Sequence, residues 1–503
     1  MKDRLGEAHE RDVPASVRHG RGQYFTPFPL VQLVLDLCGD AAPTRVLDPA
    51  CGSGRFLLAA RERWPDATLL GFETDPQALE LARQNLPAAE LDGGSFLEAE
   101  GAADLLVGNP PYVRRRGKKR DLYVDFLEAA PRWLAPGGRV ALVLSSAWLD
   151  VEYGAAVRSA LQESFAVEWI VEGTAERWFP GAKVNTMVLV ARREPDAARR
   201  AAQDVRFAAV HAPLPAAPTL VRTVPQSDLG EGAWGPWLRA PDAWLRQRSA
   251  DGMTTLSALA TVRRGWTTND NGFYYPPPDA GIEERWLRPL LKSPKRVDAV
   301  RGRAADLPDR AFVAGPPAVE DAGAAAWIGD RDRWTLPDQS PTRQVLMKGY
   351  GDRFRQPRFD EPVHYDQQIY GLEPADGVDG EVLAAVLHSS WFGLTLELLG
   401  RVNFGDGVLW LGLRDARRLP LPDLRRLAGP SRDALVAAFD ALPDGRVPRL
   451  HLLDTDPAWG PAQARLDDAV AALLGLSPAD DSAVRAAWRD LCARRQRKAR
   501  TGR

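Results

Sequence analysis

From residue 44 onward, short apolar runs alternate with amphipathic stretches. RVLDPA reads as a strand and RFLLAARERW as a helix. TLLGFE is a second strand, and PQALELARQNL is a helix with proline in its first turn, where the missing N–H costs nothing. AELDGGSF reads as a short third strand, ADLLVGN as a fourth, YVDFLEAAPRWL as a helix and RVALVLSS as a fifth strand. EYGAAVRSALQESF is helical, and the strands VEWIVE and NTMVLVARR follow without a helix between them. This rhythm predicts an α/β sheet covered by helices on both faces. The helix-free connection predicts an antiparallel end to that sheet.

After Arg193 the pattern changes. Residues 194–251 are rich in Pro and Ala with short strand-like pieces such as DVRFAAVHA, which completes the first domain and links onward. Residues 255–425 lose the α/β rhythm and carry Trp, Tyr, Phe and Arg in loop-like contexts, and from Ser431 the pattern is helical. The expected organisation is a flexible N-terminus over 1–20, a first α/β domain over 21–240, an α+β domain over 255–425 and a helical segment over 430–503.

Composition adds mainly exclusions. The formal net charge of the 503 residues is −2, so charge distribution matters more than its sum. Cys38, Cys51 and Cys492 are too few and too dispersed for a disulfide framework or a zinc site, and the histidines never fall at metal-ligand spacing. No apolar run approaches the ~20 residues of a membrane helix, and the polar N-terminus has no signal core. The expectation is a cytoplasmic, metal-free protein. Two basic runs stand out, Arg114-Arg115-Arg116-Gly117-Lys118-Lys119-Arg120 and Arg494–Arg500. The second reads as a frayed basic tail.

Chemistry concentrates at two loops. Asp48-Pro49-Ala50-Cys51-Gly52-Ser53-Gly54 follows the first strand and opens a helix, placing glycines at the carboxyl edge of the sheet, where backbone can approach a nucleotide closely. Glu73, closing the next strand before Thr74, is a carboxylate suited to gripping ribose hydroxyls. The spacing is neither that of a dinucleotide fingerprint nor that of a P-loop. After the fourth strand comes Asn109-Pro110-Pro111-Tyr112. Consecutive prolines fix the backbone so that the Asn109 amide and the Pro110 carbonyl form two rigid acceptors. Such a pair can hold both hydrogens of an exocyclic amino group and stabilise the charge that builds as its nitrogen is alkylated. Tyr112 offers a flat face to a planar substrate.

Residues 21–195 resemble the γ-class DNA adenine-N6 methyltransferases of restriction–modification and related defence systems. Arg21-Gly22-Gln23-Tyr24-Phe25-Thr26-Pro27, DPACGSGRFL, GFETDPQAL, NPPY and LYVDFLEAAPRWLAPGGRVALVLSSAWL follow the family's segment order. The resemblance implies a Rossmann-like class I S-adenosylmethionine-dependent methyltransferase domain, with a C-terminal α+β target-recognition domain and a helical tail. It implies S-adenosylmethionine as cofactor, lined by Tyr24, Thr26, Asp48, Pro49, Ala50, Cys51, Gly52, Glu73, Thr74, Ser95, Phe96 and Asn109. Phe96 would pack near the adenine ring, and Ser95 stands where the family often has an acid. Asn109, Pro110, Pro111 and Tyr112 would be catalytic, and Phe179 in RWFPG would stack on the far face of an extruded adenine.

The second half resembles target-recognition domains through LSAL, VRRGWTTNDNGFY, WLRPLLK and the run VLHSSWFGLTLELLGRVNFGDGVLWLGLRDARRLPLPDL. Double-stranded DNA is the implied partner. Arg114, Arg115, Arg116, Lys118 and Lys119 would meet phosphates, and Arg263, Arg264 and Asn269, with Thr268, Arg401 and Asn403, would face bases or backbone. Only ~20 residues precede the cofactor segment and no nuclease array stands out, so DNA cleavage is not expected of this chain; a cognate restriction or defence protein is a further partner that the resemblance leaves open. A monomer with its own recognition domain is the simplest acting form. Two alternatives stay open: a different acceptor, glutamine or rRNA, or a modification subunit active only beside a partner.

Overall fold

The computed structural model describes residues 26–40, 42–113, 121–150, 154–175, 178–179, 185–402, 407–425, 427 and 429–500. The chain divides into two compact units at Leu238/Arg239.

The first unit is a nine-stranded sheet. Its strands are β1 (Arg45–Asp48), β2 (Thr68–Phe72), β3 (Glu90–Asp92), β4 (Ala103–Gly108), β5 (Leu134–Ser145), β6 (Phe165–Gly173), β7 (Thr186–Arg193), β8 (Asp204–Val210) and β9 (Thr219–Pro225). They lie in the order β3-β2-β1-β4-β5-β7-β6-β8-β9. β1 to β5 are parallel, whereas β7 inserts between β5 and β6 antiparallel to both. The antiparallel end predicted from the missing helix is therefore present. The DVRFAAVHA run is a full strand, β8, parallel to β6 and followed by an antiparallel edge, β9.

Two apolar clusters cover the sheet's faces. Leu47, Leu106, Leu142 and Leu189 point into one, and Val46, Leu105, Val107, Val143 and Val188 into the other. A central strand buried on both faces reads as a continuous apolar run, as LLV and VALVL do here. The helix Pro76–Asn85 begins where the Asp75 carboxylate accepts the N–H groups of Gln77 at 2.9 Å and Ala78 at 3.3 Å. That is an N-cap, satisfying donors no helical carbonyl can reach.

The second unit holds a sheet built from 260–264, 369–374, 342–347, 358–365, 287–291 and 310–312, in that spatial order. The helices Gly380–Leu387, Ser390–Leu399, Pro430–Asp440, Trp459–Leu473 and Pro478–Arg500 follow in sequence. No single described helix is long and apolar enough to cross a membrane.

Two expectations need correction in this unit. The helical segment does not stand apart from residues 255–425: Leu466, Val470, Val484 and Trp488 share one apolar cluster with Val345, Leu372 and Leu383. The basic run from Arg494 is not a frayed tail either. It continues the last helix, and Arg495 is buried in a two-pronged pair with Glu397, at 2.6 and 3.0 Å, while also donating to the Tyr350 and Gly351 carbonyls. Sequence periodicity could not show this, because the partner lies 98 residues away.

A buried pair stripped of one member leaves an uncompensated charge, at about 3–5 kcal/mol. Arg495→Ala is expected to lower the unfolding free energy of the second unit by that amount in denaturant titrations, whereas Arg494→Ala, a more exposed neighbour paired with Asp490, is expected to cost less than about 1 kcal/mol.

Candidate active site

In an open α/β sheet, ligands bind beyond the carboxyl ends of the strands where the strand order reverses. Here that point lies between β1 and β4, since the chain runs outward from β1 to β3 and returns to β4 on the other side. β1 ends at Asp48 and β4 at Gly108, so the two loops singled out by their chemistry emerge side by side.

Their approach is unusually tight. A Cβ at Gly108 would stand 2.6 Å from Asp48 Oδ1 and 3.3 Å from Pro49 Cδ. Asp48 is 1% exposed, and its carboxylate accepts the Ala50 N–H at 3.1 Å. Burial, with repulsion from Glu73 adding to it, pushes the Asp48 carboxyl from its usual 3.8 up to about 8. Gly52 follows in the left-handed conformation, φ 56°, facing open space. Its N–H donates to Glu73 Oε2 at 2.9 Å, and Asp75 N–H donates to Oε1 at 2.8 Å. Glu73 is thus anchored through one lone pair on each oxygen, with its carboxyl raised above the usual range by burial. Pro49, Ala50 and Cys51 form the backbone of the same loop, Cys51 being buried, and Thr74 is exposed beside Glu73.

The Asn109–Tyr112 loop is cross-braced. Asn109 Nδ2 donates to Thr26 Oγ1 at 3.1 Å, which ties the loop to the segment preceding the first described helix. The Tyr112 hydroxyl donates to Asn109 Oδ1 and also approaches the Val143 carbonyl at 3.1 Å. Pro110 is buried, Pro111 half-buried, and the Tyr112 ring meets Tyr123 edge-on at 6.2 Å. Thr26 is 5% exposed and its carbonyl accepts from Arg55. The structure thus brings together Thr26, Asp48, Gly52, Glu73, Asn109 and Tyr112. Sequence reasoning missed Gly108 and the Val143 carbonyl; Gly108 was visible only as the last residue of a strand.

Other expected residues fall differently. Ser95 caps the short turn 96–98 by accepting the Leu97 N–H at 3.3 Å. Phe96 is 1% exposed and stacked with Phe126 and Trp133 against the edge of Phe72, so it is a core ring rather than an open floor. Phe179 is 5% exposed within the apolar cluster of Leu30, Val31 and Trp178, whereas Tyr112 packs against the cluster on the other sheet face. The two rings therefore do not form an open sandwich in this structure; burial of Phe179 by the helix Phe28–Leu37 side of the sheet outweighs exposure. Tyr24, Arg114, Arg115, Arg116, Lys118, Lys119 and Asn403 lie outside the described residues.

In the second unit, Arg263 donates to Ser340 and pairs with Glu373 at 3.3 Å, while the neighbouring Arg264 donates to Gln367 Oε1 at 2.8 Å. Asn269 is exposed and left-handed, φ 59°, Thr268 bonds to Asn271, and Arg401 pairs with Asp415 at 2.8 Å. No group of His, Cys, Asp or Glu among the described residues is arranged to hold a metal ion.

Residues 31–169 match the Methyltransferase small domain family. The chain is 30% identical over 226 residues to the type II methyltransferase M.XamI of Xanthomonas campestris pv. amaranthicola, covering 37% of this chain and 42% of that one. It is 37% identical over 126 residues to a tRNA (guanine(6)-N2)-methyltransferase of Thermus thermophilus, covering 23% and 38% respectively. The type IIG restriction endonuclease BpuSI aligns with 96% of this chain and 67% of its own at 14% identity, with a TM-score of 0.45. The chain spans less than half the length of either curated relative.

Two outcomes follow from the geometry. Below pH ~4 Asp48 is protonated whether folded or not, and between ~4 and ~8 the folded state keeps a proton that the unfolded chain releases, so stability falls as pH rises through that window. Asp48→Asn keeps the acceptor for Ala50 and is expected to remove that slope; melting temperatures of both proteins across pH 4–9, without ligand, check it. Gly108→Ala drives a methyl into the Asp48 carboxylate and is expected to cost about 1–3 kcal/mol of stability, read by denaturant unfolding.

Proposed function

The first unit has the class I S-adenosylmethionine-dependent methyltransferase fold, and we propose that this chain methylates N6 of an adenine turned out of double-stranded DNA, as a modification enzyme of restriction–modification type. The observation that carries this reading is the placement of the Asn109 amide, held by Thr26, directly after Gly108, where the end of β4 closes on Asp48.

The residues present fit the cofactor. Open space above Gly52 leaves room for a ligand against backbone, and Glu73 is held so that each oxygen retains a lone pair for the ribose hydroxyls. Asp48, whose carboxyl is hard to ionise alone, matches a cationic ligand, which would favour its charged form. Tyr24 and Thr26 would close the same pocket. S-adenosylmethionine supplies an electrophilic methyl group when bound.

The chain's own part is positioning. Asn109 Oδ1 and the Pro110 carbonyl accept the two N6 hydrogens and so orient the nitrogen lone pair. The bound cofactor would supply the methyl group to that nitrogen, whose surplus proton would go to solvent. The same acceptors bear the positive charge that develops on N6. Entry of a base displaces the Tyr112 hydroxyl from Asn109 Oδ1 and frees its ring to stack, at about 1–3 kcal/mol per base. Phe179 would serve as the second face only by leaving its cluster. The run Arg114–Lys119 would hold phosphates, and a partner nuclease or defence protein would complete the system.

The tRNA enzyme among the relatives favours one second reading, an exocyclic amine of guanine in RNA. Expression in a methylation-free bacterial host, followed by modification-sensitive sequencing, separates the two. The expected result is N6-methyladenine at one defined DNA motif, reduced at least about 10²-fold in Asn109→Ala. Unmodified DNA from a soluble protein that binds S-adenosylmethionine would overturn the reading.

A further inference from the structure

One end of the second unit's sheet gathers groups that the sequence scatters between residues 264 and 368. Strand 260–264 ends at Arg264, strand 342–347 runs into Lys348, strand 287–291 runs into Lys292, and Gln367-Gln368 form the turn before strand 369–374. Register places them together: Arg264 faces Tyr370, Met347 faces Ile369, and Leu291 faces Tyr365. The turns are laced to one another, with Lys348 N–H donating to the Gln368 carbonyl and Gln367 N–H to the Trp266 carbonyl.

Among the described residues, the cations of this rim form no ion pairs with carboxylates. Lys348 is half-buried, yet its ammonium has no hydrogen bond and no carboxylate partner among the described residues. Burial and the Arg264 cation both hold the Lys348 amine below its usual range, ahead of the opposing pull of Asp366. Asp366 itself is occupied by the Tyr275 hydroxyl at 3.0 Å and the Gln368 N–H at 3.1 Å. Lys292 lies over the Tyr275 ring, 5.7 Å from its centroid, with no ion pair among the described residues. Arg264 is held by an amide rather than an acid. By contrast, Arg263, Arg285, Arg296, Arg401, Arg425 and Arg432 of the same unit each pair with a carboxylate.

We infer that this rim, centred on Lys348 with Arg264, Lys292, Thr267, Gln367 and Gln368, is where the second unit grips duplex DNA. Lys348 and Lys292 meet phosphates, and Arg264 with Gln367 reads base edges. Unmatched cations attract any polyanion, but the Arg–Gln pair adds a forked donor and an amide, the side chains that pair two-pronged with guanine and adenine in the major groove. The inference rests on the DNA reading above, and it also separates Arg264 from Arg263, whose fork is spent on Glu373 and Ser340.

The test is duplex binding by the full chain, followed by fluorescence anisotropy of a labelled random-sequence oligonucleotide from 50 to 300 mM salt. Removing one phosphate contact shallows the log–log salt slope by about 1 and weakens low-salt binding about tenfold. Lys348→Ala is expected to do both and Lys348→Arg to restore the slope; melting temperature verifies folding in each. Gln367→Ala is expected to keep the slope while relaxing the motif seen in genome sequencing. Wild-type slope and affinity in folded Lys348→Ala, or no duplex binding by the wild type, would overturn the rim. Binding that depends on Lys348 without N6-methyladenine in the genome would uphold the rim and sink the proposed reaction; methylation with an inert Lys348→Ala would do the reverse.

Discussion

The ends of β1 and β4 lie closer than any side chain at residue 108 allows, with the Asp48 carboxylate filling the space where a Cβ would stand. Strand order makes this contact inevitable, because the chain leaves β1 outward and returns beside it. Two loops with unrelated local chemistry, one of left-handed glycine and one of consecutive prolines, are thereby fixed at a common edge. The contact has an electrostatic consequence. Asp48 is shut away from water with Glu73 nearby, so it prefers its proton in the ligand-free protein. A site strained against its own negative charge gains most from a cation, whose arrival offsets both burial and repulsion.

The second loop shows the complementary arrangement. Its best acceptor, Asn109 Oδ1, is satisfied within the loop by the Tyr112 hydroxyl, and its donor by Thr26. A half-buried amide left without partners would cost about 1–3 kcal/mol. The Tyr112 hydroxyl keeps that cost from appearing in the ligand-free protein.

Legibility in the sequence followed the range of the interactions. Strands β1, β2 and β4 to β7 were readable because each buries its own apolar run, and the NPPY loop because prolines act on their immediate neighbours. Gly108 was not readable, since a glycine declares no reason until its neighbour across the sheet is known. Phe179 and Phe96 looked like ligand-facing aromatics; their burial depends on Leu30 and Val31 in one case and Phe126 and Trp133 in the other, all brought in by the fold. The basic tail was misjudged for the same reason, as Glu397 is what turns Arg495 inward.

The same contrast separates what the two units can decide. The likeness to the tRNA enzyme extends over 23% of this chain, so it does not by itself choose an acceptor. Choice has to come from surfaces that the core does not supply. A surface built to hold a protein fold together matches its charges internally, as Arg495 with Glu397 and Arg263 with Glu373 do. The rim around Lys348 holds a half-buried ammonium near a second cation, opposed only from a distance by Asp366, which is itself bonded to Tyr275 and Gln368. Desolvating a charge without a close partner is unfavourable for a fold that gains nothing by it, and a bound polyanion, as proposed for this rim, would offset that cost.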